Sequence, residues 1–210
     1  MATLAHAFEG ANQVLIISSD THGGDAVAQH TAALNAAREA GASRVLYTSQ
    51  HGAGPDSLFA PMPDHATTGA HLRELGIPFT SQRNGIYAST IRFLLGPALE
   101  TGEIRAPADG PVSWTTHADL ATAAYDLDDI ARILTERTGR TIRRPVVDDG
   151  DYMRGLVGRG MLEGAARMLL GIFLGSRLGE SATMDPTLER LLGRPAESIE
   201  TVLDRVVVGT

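Results

Sequence analysis

Between Val14 and Arg83 the chain alternates three strand patterns with two helix patterns, and this alternation constrains its fold more than any other feature. Val14-Leu15-Ile16-Ile17 is a short, wholly apolar, β-branched run, as expected of a parallel strand covered on both faces. Ser18-Ser19-Asp20 ends it with turn and cap chemistry. From Asp25 onward Val27, Ala28, Ala32, Leu34, Ala36 and Ala40 suit a helix, and Gly41 supplies its stop. Arg44–Thr48 reads as the next strand and Ser49–Pro63 as a loop. A helix is expected over Pro63–Leu75, closed by Gly76, and Pro78–Arg83 is a third strand of mixed character. Strands joined through helices of this length need right-handed crossovers, so the fold class is α/β with a parallel sheet.

In such sheets ligands bind beyond the carboxyl ends of the strands. The candidates follow from position: Ser18 and Ser19; then Ser49, Gln50 and His51; then Arg83, Asn84, Gly85 and Tyr87. Each alone is an ordinary turn former. Three successive strand ends that deliver small or polar residues to one edge point to a ligand edge.

The second half is less regular. Thr116-x-x-Asp119 reads as a capping box opening a helix near Leu120–Tyr125. Leu127–Thr138 is a second helix, with Ile130, Ile133 and Leu134 on one face and Gly139 at its end. Thr141–Val147 suits a short strand. Asp151–Leu178 is helical, interrupted by Gly155, Gly158, Gly160 and Gly164. Its Met161, Leu162, Met168, Leu169, Ile172 and Phe173 have the spacing of a packed helical lobe. Leu188–Arg194 and Ile199–Val208 are short amphipathic ends. Six of the 25 carboxylates cluster in Asp126–Asp129 and Asp148–Asp151, which suits two helix starts. The expected division is a sheet domain over residues 1–125 and a small, mainly helical C-terminal lobe over 126–210.

Residue usage removes several chemistries. The chain has no cysteine, which excludes thiol nucleophiles, disulfides and zinc fingers. It has no lysine either, since all 18 basic residues are arginine. A P-loop lysine, a Schiff base and a Tyr-x-x-x-Lys pair are therefore excluded. A net charge of −7 argues against nucleic acid as a partner. No run approaches the ~18 apolar residues of a membrane span, so no membrane association and a cytoplasmic location are expected. The seven histidines show no metal-ligand spacing, so no metal is expected. No Gly-x-Ser-x-Gly nucleophile elbow occurs. Gly155-x-x-Gly158-x-Gly160 is no phosphate loop, because its spacing is reversed and no apolar strand precedes it.

Tyr47-Thr48-Ser49, Gly76-Ile77-Pro78, Arg83-Asn84-Gly85-Ile86-Tyr87 and Leu188-Glu189-Arg190-Leu191-Leu192-Gly193-Arg194-Pro195 occur in this order. Together they resemble the NmrA-like atypical short-chain dehydrogenases, and within them the type 2 NAD(P)H:quinone oxidoreductases. The resemblance runs over most of Ala5–Val208. It implies a Rossmann-like domain binding NADP or NAD, a C-terminal substrate lobe, and direct hydride transfer to a quinone or related carbonyl substrate. Ser18, Ser19, Thr48, Ser49 and Gln50 would then lie along the nicotinamide ribose. Arg83 belongs to the same cofactor-binding set, and Asn84 and Gly85 would sit beside the nicotinamide. Tyr87, with Phe59 and His51, would line a flat apolar slot for the quinone ring, and His65 or Tyr87 would donate the proton. Lack of Tyr-x-x-x-Lys suits quinone reduction, which asks little of side chains, better than alcohol oxidation.

Two departures from the family pattern carry expectations of their own. The glycine-rich phosphate turn and first helix of the family would precede Met1, a difference on the order of 60–70 residues at roughly 30 per βαβ unit. A sheet strand of the family pattern is also expected to be missing where Tyr125-Asp126 joins two helical stretches. The sheet is thus expected to be truncated at the N-terminus, with Val14–Ile17 as an exposed edge that a second copy covers, giving a homo-oligomer. Cofactor affinity and activity would be reduced unless the sheet is completed. The alternative reading is a non-catalytic NAD(P)-sensing or protein-interaction module.

Overall fold

The computed structural model describes residues 2–19, 24–116, 122–182, 190, 193–194 and 197–208. The chain divides into two compact units, Met1–Asn84 and Gly85–Thr210.

The first unit carries α1 (Ala2–Ala7), β1 (Gln13–Ile16), α2 (Gly24–Glu39), β2 (Arg44–Gln50), α3 (Pro61–Glu74) and β3 (Phe79–Asn84). Its three strands form a parallel sheet in the order β1-β2-β3. The two crossover helices pack on each other, and both lie on one face of the sheet. Leu34 and Ala37 of α2 join Leu72 of α3 and the adjoining Leu75 over Val14, Ile16, Val45 and Tyr47 to make the core. Full burial of each larger aliphatic side chain there contributes about 1.5–3 kcal/mol. Gly41 and Gly76 end the two helices with φ of 80° and 76°, left-handed values that side chains rarely adopt.

The first strand departs from its sequence pattern. Val14 and Ile16 are buried, but Leu15 is 55% and Ile17 72% exposed. An unbroken apolar run suggests cover on both faces, whereas the strand alternates because α2 and α3 both cover the face that holds Val14 and Ile16.

In the second unit β4 (Ile86–Tyr87) pairs parallel with β5 (Val112–Thr115), which pairs antiparallel with β6 (Thr122–Tyr125). The helices are α4 (Ile91–Leu95), α5 (Ala98–Thr101), α6 (Leu127–Thr138), α7 (Asp149–Gly158), α8 (Glu163–Arg177) and α9 (Ile199–Val208). Asp126 caps α6 by accepting from the Asp129 N–H, and Asp148 caps α7 by accepting from the Gly150 N–H, as the acidic clusters predict. Leu169, Ile172 and Phe173 are buried as expected, while Leu162, at the start of α8, is 80% exposed. Gly160, at φ 90°, separates α7 from α8.

The helix expected near Leu120–Tyr125 is instead strand β6. Thr122-Ala123-Ala124-Tyr125 has no strong local preference, and pairing with β5 decides its state. The Trp114 indole N–H donates to the Tyr125 carbonyl across that pair. Thr141–Val147 forms only isolated parallel bridges, Glu103 with Arg143 and Ala106 with Val146. A buried ion pair joins Arg144 to Asp109, and Asp109 also accepts from the Leu127 N–H. Asp20, Asp119, Leu120, Leu188, Glu189, Leu191, Leu192 and Pro195, named above from sequence, and two of the seven histidines, His22 and His117, lie outside the described residues. Among the described residues no helix is long and apolar enough to cross a membrane.

Candidate active site

The site is built on the sheet face that α3 only partly covers. Alternation along β2 places Val45, Tyr47 and Ser49 on that face, and the parallel register sets Phe79, Ser81 and Arg83 of β3 beside them. The helix buries Met62, His65, Thr68 and Leu72, a spacing of three and four residues that lays one stripe over β2. Beyond the stripe its side chains shrink to Ala66, Gly69 and Ala70. A groove of about 500 Å³ opens there, between α3 and the Phe79-Ser81-Arg83 row, with Ser49, His65 and Arg73 on its walls. Among the described residues neither Arg73 nor Arg83 has an ion-pair partner.

Beneath the groove lies a buried polar cluster. The Tyr47 hydroxyl is 2.7 Å from His65 Nδ1 and 3.5 Å from His30 Nδ1. His30 Nδ1 is 3.0 Å from Thr68 Oγ1, and Thr68 donates to the Asp64 carbonyl at 2.9 Å. The Ser19 backbone N–H reaches His30 Nε2 at 2.9 Å. Burial pushes His65 down to about 4, aided by nearby His30 and opposed by the Asp64 carboxylate. Burial likewise lowers His30, against the pull of Asp64, and pushes Tyr47 up to about 12. All three groups are therefore neutral at neutral pH.

The strand ends meet partly as expected from sequence. At the ends of β1 and β2 the Ser18 N–H donates to Thr48 Oγ1 at 2.8 Å, and the Ser19 hydroxyl donates to Gln29 Oε1. Gln50 and Asn84 face each other in register, and the His51 N–H donates to the Asn84 carbonyl at 2.7 Å. Asn84 is buried, and Gln50 Oε1 is buried without a hydrogen-bond partner among the described residues. Ser49, His65 and Arg83 share the groove. Phe59 is buried, and neither it nor His51 lines the groove. Gly85 and Tyr87 belong to the second unit, where the Gly85 N–H donates to Thr115 Oγ1 and Tyr87 pairs with Thr115.

Sequence reasoning passed over Tyr47, His30, Thr68, Ser81 and Arg73. Two signals were present. Tyr47 stands two residues before Ser49 and so shares its strand face, and Thr68 stands three residues after His65 and so shares its helix face. His30 carried no such mark, because only the crossover of α2 brings it beside Tyr47. No group of His, Asp and Glu suited to a metal ion occurs among the described residues.

No family model matches the chain. Quinone oxidoreductase 2 of Escherichia coli is 29% identical over 94% of this chain and 76% of its own length. A crystal structure of that NADPH-dependent enzyme, complexed with NADPH, superposes with a TM-score of 0.90 at 26% identity, over 98% of this chain and 80% of the other. An NmrA-like family domain-containing oxidoreductase of Aspergillus flavus is 26% identical over 96% of this chain and 76% of its own. The triphenylmethane reductase of Citrobacter sp., complexed with NADP(H), has a TM-score of 0.86 at 25% identity, over 96% of this chain and 79% of its own. The sheet and its crossovers thus have the Rossmann-like form expected from sequence, in a chain shorter than these relatives.

Proposed function

From its kinship with NmrA-like, NAD(P)-binding oxidoreductases, we propose that the chain is an NAD(P)H-dependent reductase whose acceptor is a quinone. The observation that carries this reading is the groove, where a buried neutral imidazole meets solvent beside a strand end bearing Ser49. Crystal structures of the relatives with NADPH and NADP(H) support the cofactor.

The strand ends fit such a cofactor. Gln50 Oε1, buried and without a partner among the described residues, is an acceptor suited to a ribose hydroxyl or a carboxamide N–H. Ser18, Ser19, Thr48 and Ser49 add hydroxyls along the same edge, and Asn84 adds an amide at the end of β3. Arg83 supplies a positive charge. Bound NAD(P)H supplies a hydride, which with one proton from water converts a quinone to its quinol.

The chain's own residues then have modest tasks. The groove holds a flat ring between the small face of α3 and Phe79. His65 meets the oxygen on which negative charge grows, and Ser49 offers a second hydroxyl. Tyr87 and Gly85 of the second unit, which the resemblance counts among the site residues, stand as further candidates. A groove with a hydrogen-bond donor in its wall suits an acceptor molecule better than a purely sensing role.

The test follows absorbance of reduced nicotinamide while the purified chain meets a panel of soluble quinones. Quinone-dependent oxidation of NADPH or NADH is expected. Oxidation no faster than without protein, across the panel and with both cofactors, would remove the reading.

A further inference from the structure

The cluster beneath the groove has proton positions that follow from one donor without freedom. The Ser19 backbone N–H points at His30 Nε2, so Nε2 is the bare acceptor and neutral His30 carries its proton on Nδ1. His30 Nδ1 lies 3.0 Å from Thr68 Oγ1 and, more distantly, 3.5 Å from the Tyr47 oxygen. Thr68 directs its own hydrogen to the Asp64 carbonyl and therefore accepts from His30. Tyr47 keeps its phenolic hydrogen and makes its short contact, 2.7 Å, with His65 Nδ1. His30 Nδ1 also faces the Tyr47 oxygen at 3.5 Å, so a proton on His65 Nδ1 would set two donors against that oxygen, whereas a bare Nδ1 takes the phenolic hydrogen.

We propose that Tyr47 and His30 are positioning residues that hold His65 as the neutral tautomer protonated on Nε2, so that a quinone oxygen in the groove meets an N–H. This rests on the reductase reading for its function but not for its geometry. With Nδ1 engaged by Tyr47, Nε2 is the nitrogen left for the groove that His65 lines. The role is polarisation. A neutral imidazole that gave up this proton would become an imidazolate, so His65 donates a hydrogen bond to the developing oxyanion and water supplies the quinol proton. The charged or titratable groups around His65 are His30 on α2, Tyr47 on β2, Asp64 on its own helix, and Arg73 and Arg83 along the groove.

The first test uses the unmodified chain with nitrogen-15 in its histidine rings, resonances being assigned by comparison with His65→Gln. The expected spectrum shows His65 Nδ1 unprotonated and Nε2 protonated, unchanged as pH falls to about 5. A protonated Nδ1 overturns the proposal whether or not the chain reduces quinones. Kinetics then test the role. Glutamine at this position can accept from Tyr47 and donate to the groove, so His65→Gln should stay within about tenfold of the original kcat, whereas His65→Leu loses on the order of a hundredfold. Tyr47→Phe should lower kcat about tenfold with KM for NADPH unchanged, and its His65 should show mixed tautomers. Equal losses in the Gln and Leu variants overturn the polarising role. An original chain inactive with every quinone removes the reductase reading and that role together, while the ring spectrum still decides the tautomer.

Discussion

At the residue scale, His65 ties the site to the stability of the fold. Its pKa stands near 4 in the folded chain against an ordinary value of 6.5. Below about pH 6.5 the unfolded chain therefore takes up a proton that the folded chain refuses. Stability falls as pH drops through this window and levels off beneath the folded value. By pH 5 the loss should reach about 2 kcal/mol from His65 alone, and His30 acts in the same direction. Urea unfolding of the original chain at neutral pH and at about pH 5 should show the midpoint fall, and His65→Gln should flatten that fall. Equal midpoints at both pH values would mean that His65 titrates like an exposed histidine.

At the element scale, β1 shows what a pattern reveals and what it conceals. The apolar run marked the strand correctly, but not which of its faces is covered. Ile16 is buried beneath the crossover helices while Leu15 beside it is 55% exposed. Ile16→Ala should cost about 2–5 kcal/mol, and Leu15→Thr should stay within about 0.5 kcal/mol, by the same unfolding measurement. Similar costs at the two positions would show that the outer face is covered in solution. The helices were more legible than the strands. Leu127–Thr138 carries an Asp126 cap, an apolar stripe and Gly139, all local signals, and the helix forms over those residues. Thr122–Tyr125 carried no comparable signal, since its state depends on β5, seven or more residues earlier in the chain.

At the scale of the whole molecule, the strand-end row and the groove lie within Met1–Asn84, apart from Gly85 and Tyr87 in the second unit. Binding of NADPH to the folded chain alone should stabilise it by about 2.7 kcal/mol at a hundred times the dissociation constant, a rise of several degrees in Tm. An unchanged Tm at millimolar NADPH would argue against the cofactor assignment. The order of strands and helices between Val14 and Arg83, the helix stops at Gly41 and Gly76, the acidic caps and the polar strand ends were determined by sequence, because each depends on residues within a few positions of one another. Only tertiary structure decided that Leu15 faces outward, that Thr122–Tyr125 is a strand, and that His30, Tyr47 and His65 form one hydrogen-bonded cluster. Those outcomes depend on groups up to 35 residues apart, from His30 to His65, and parallel crossovers bring such groups together without leaving a period in the chain.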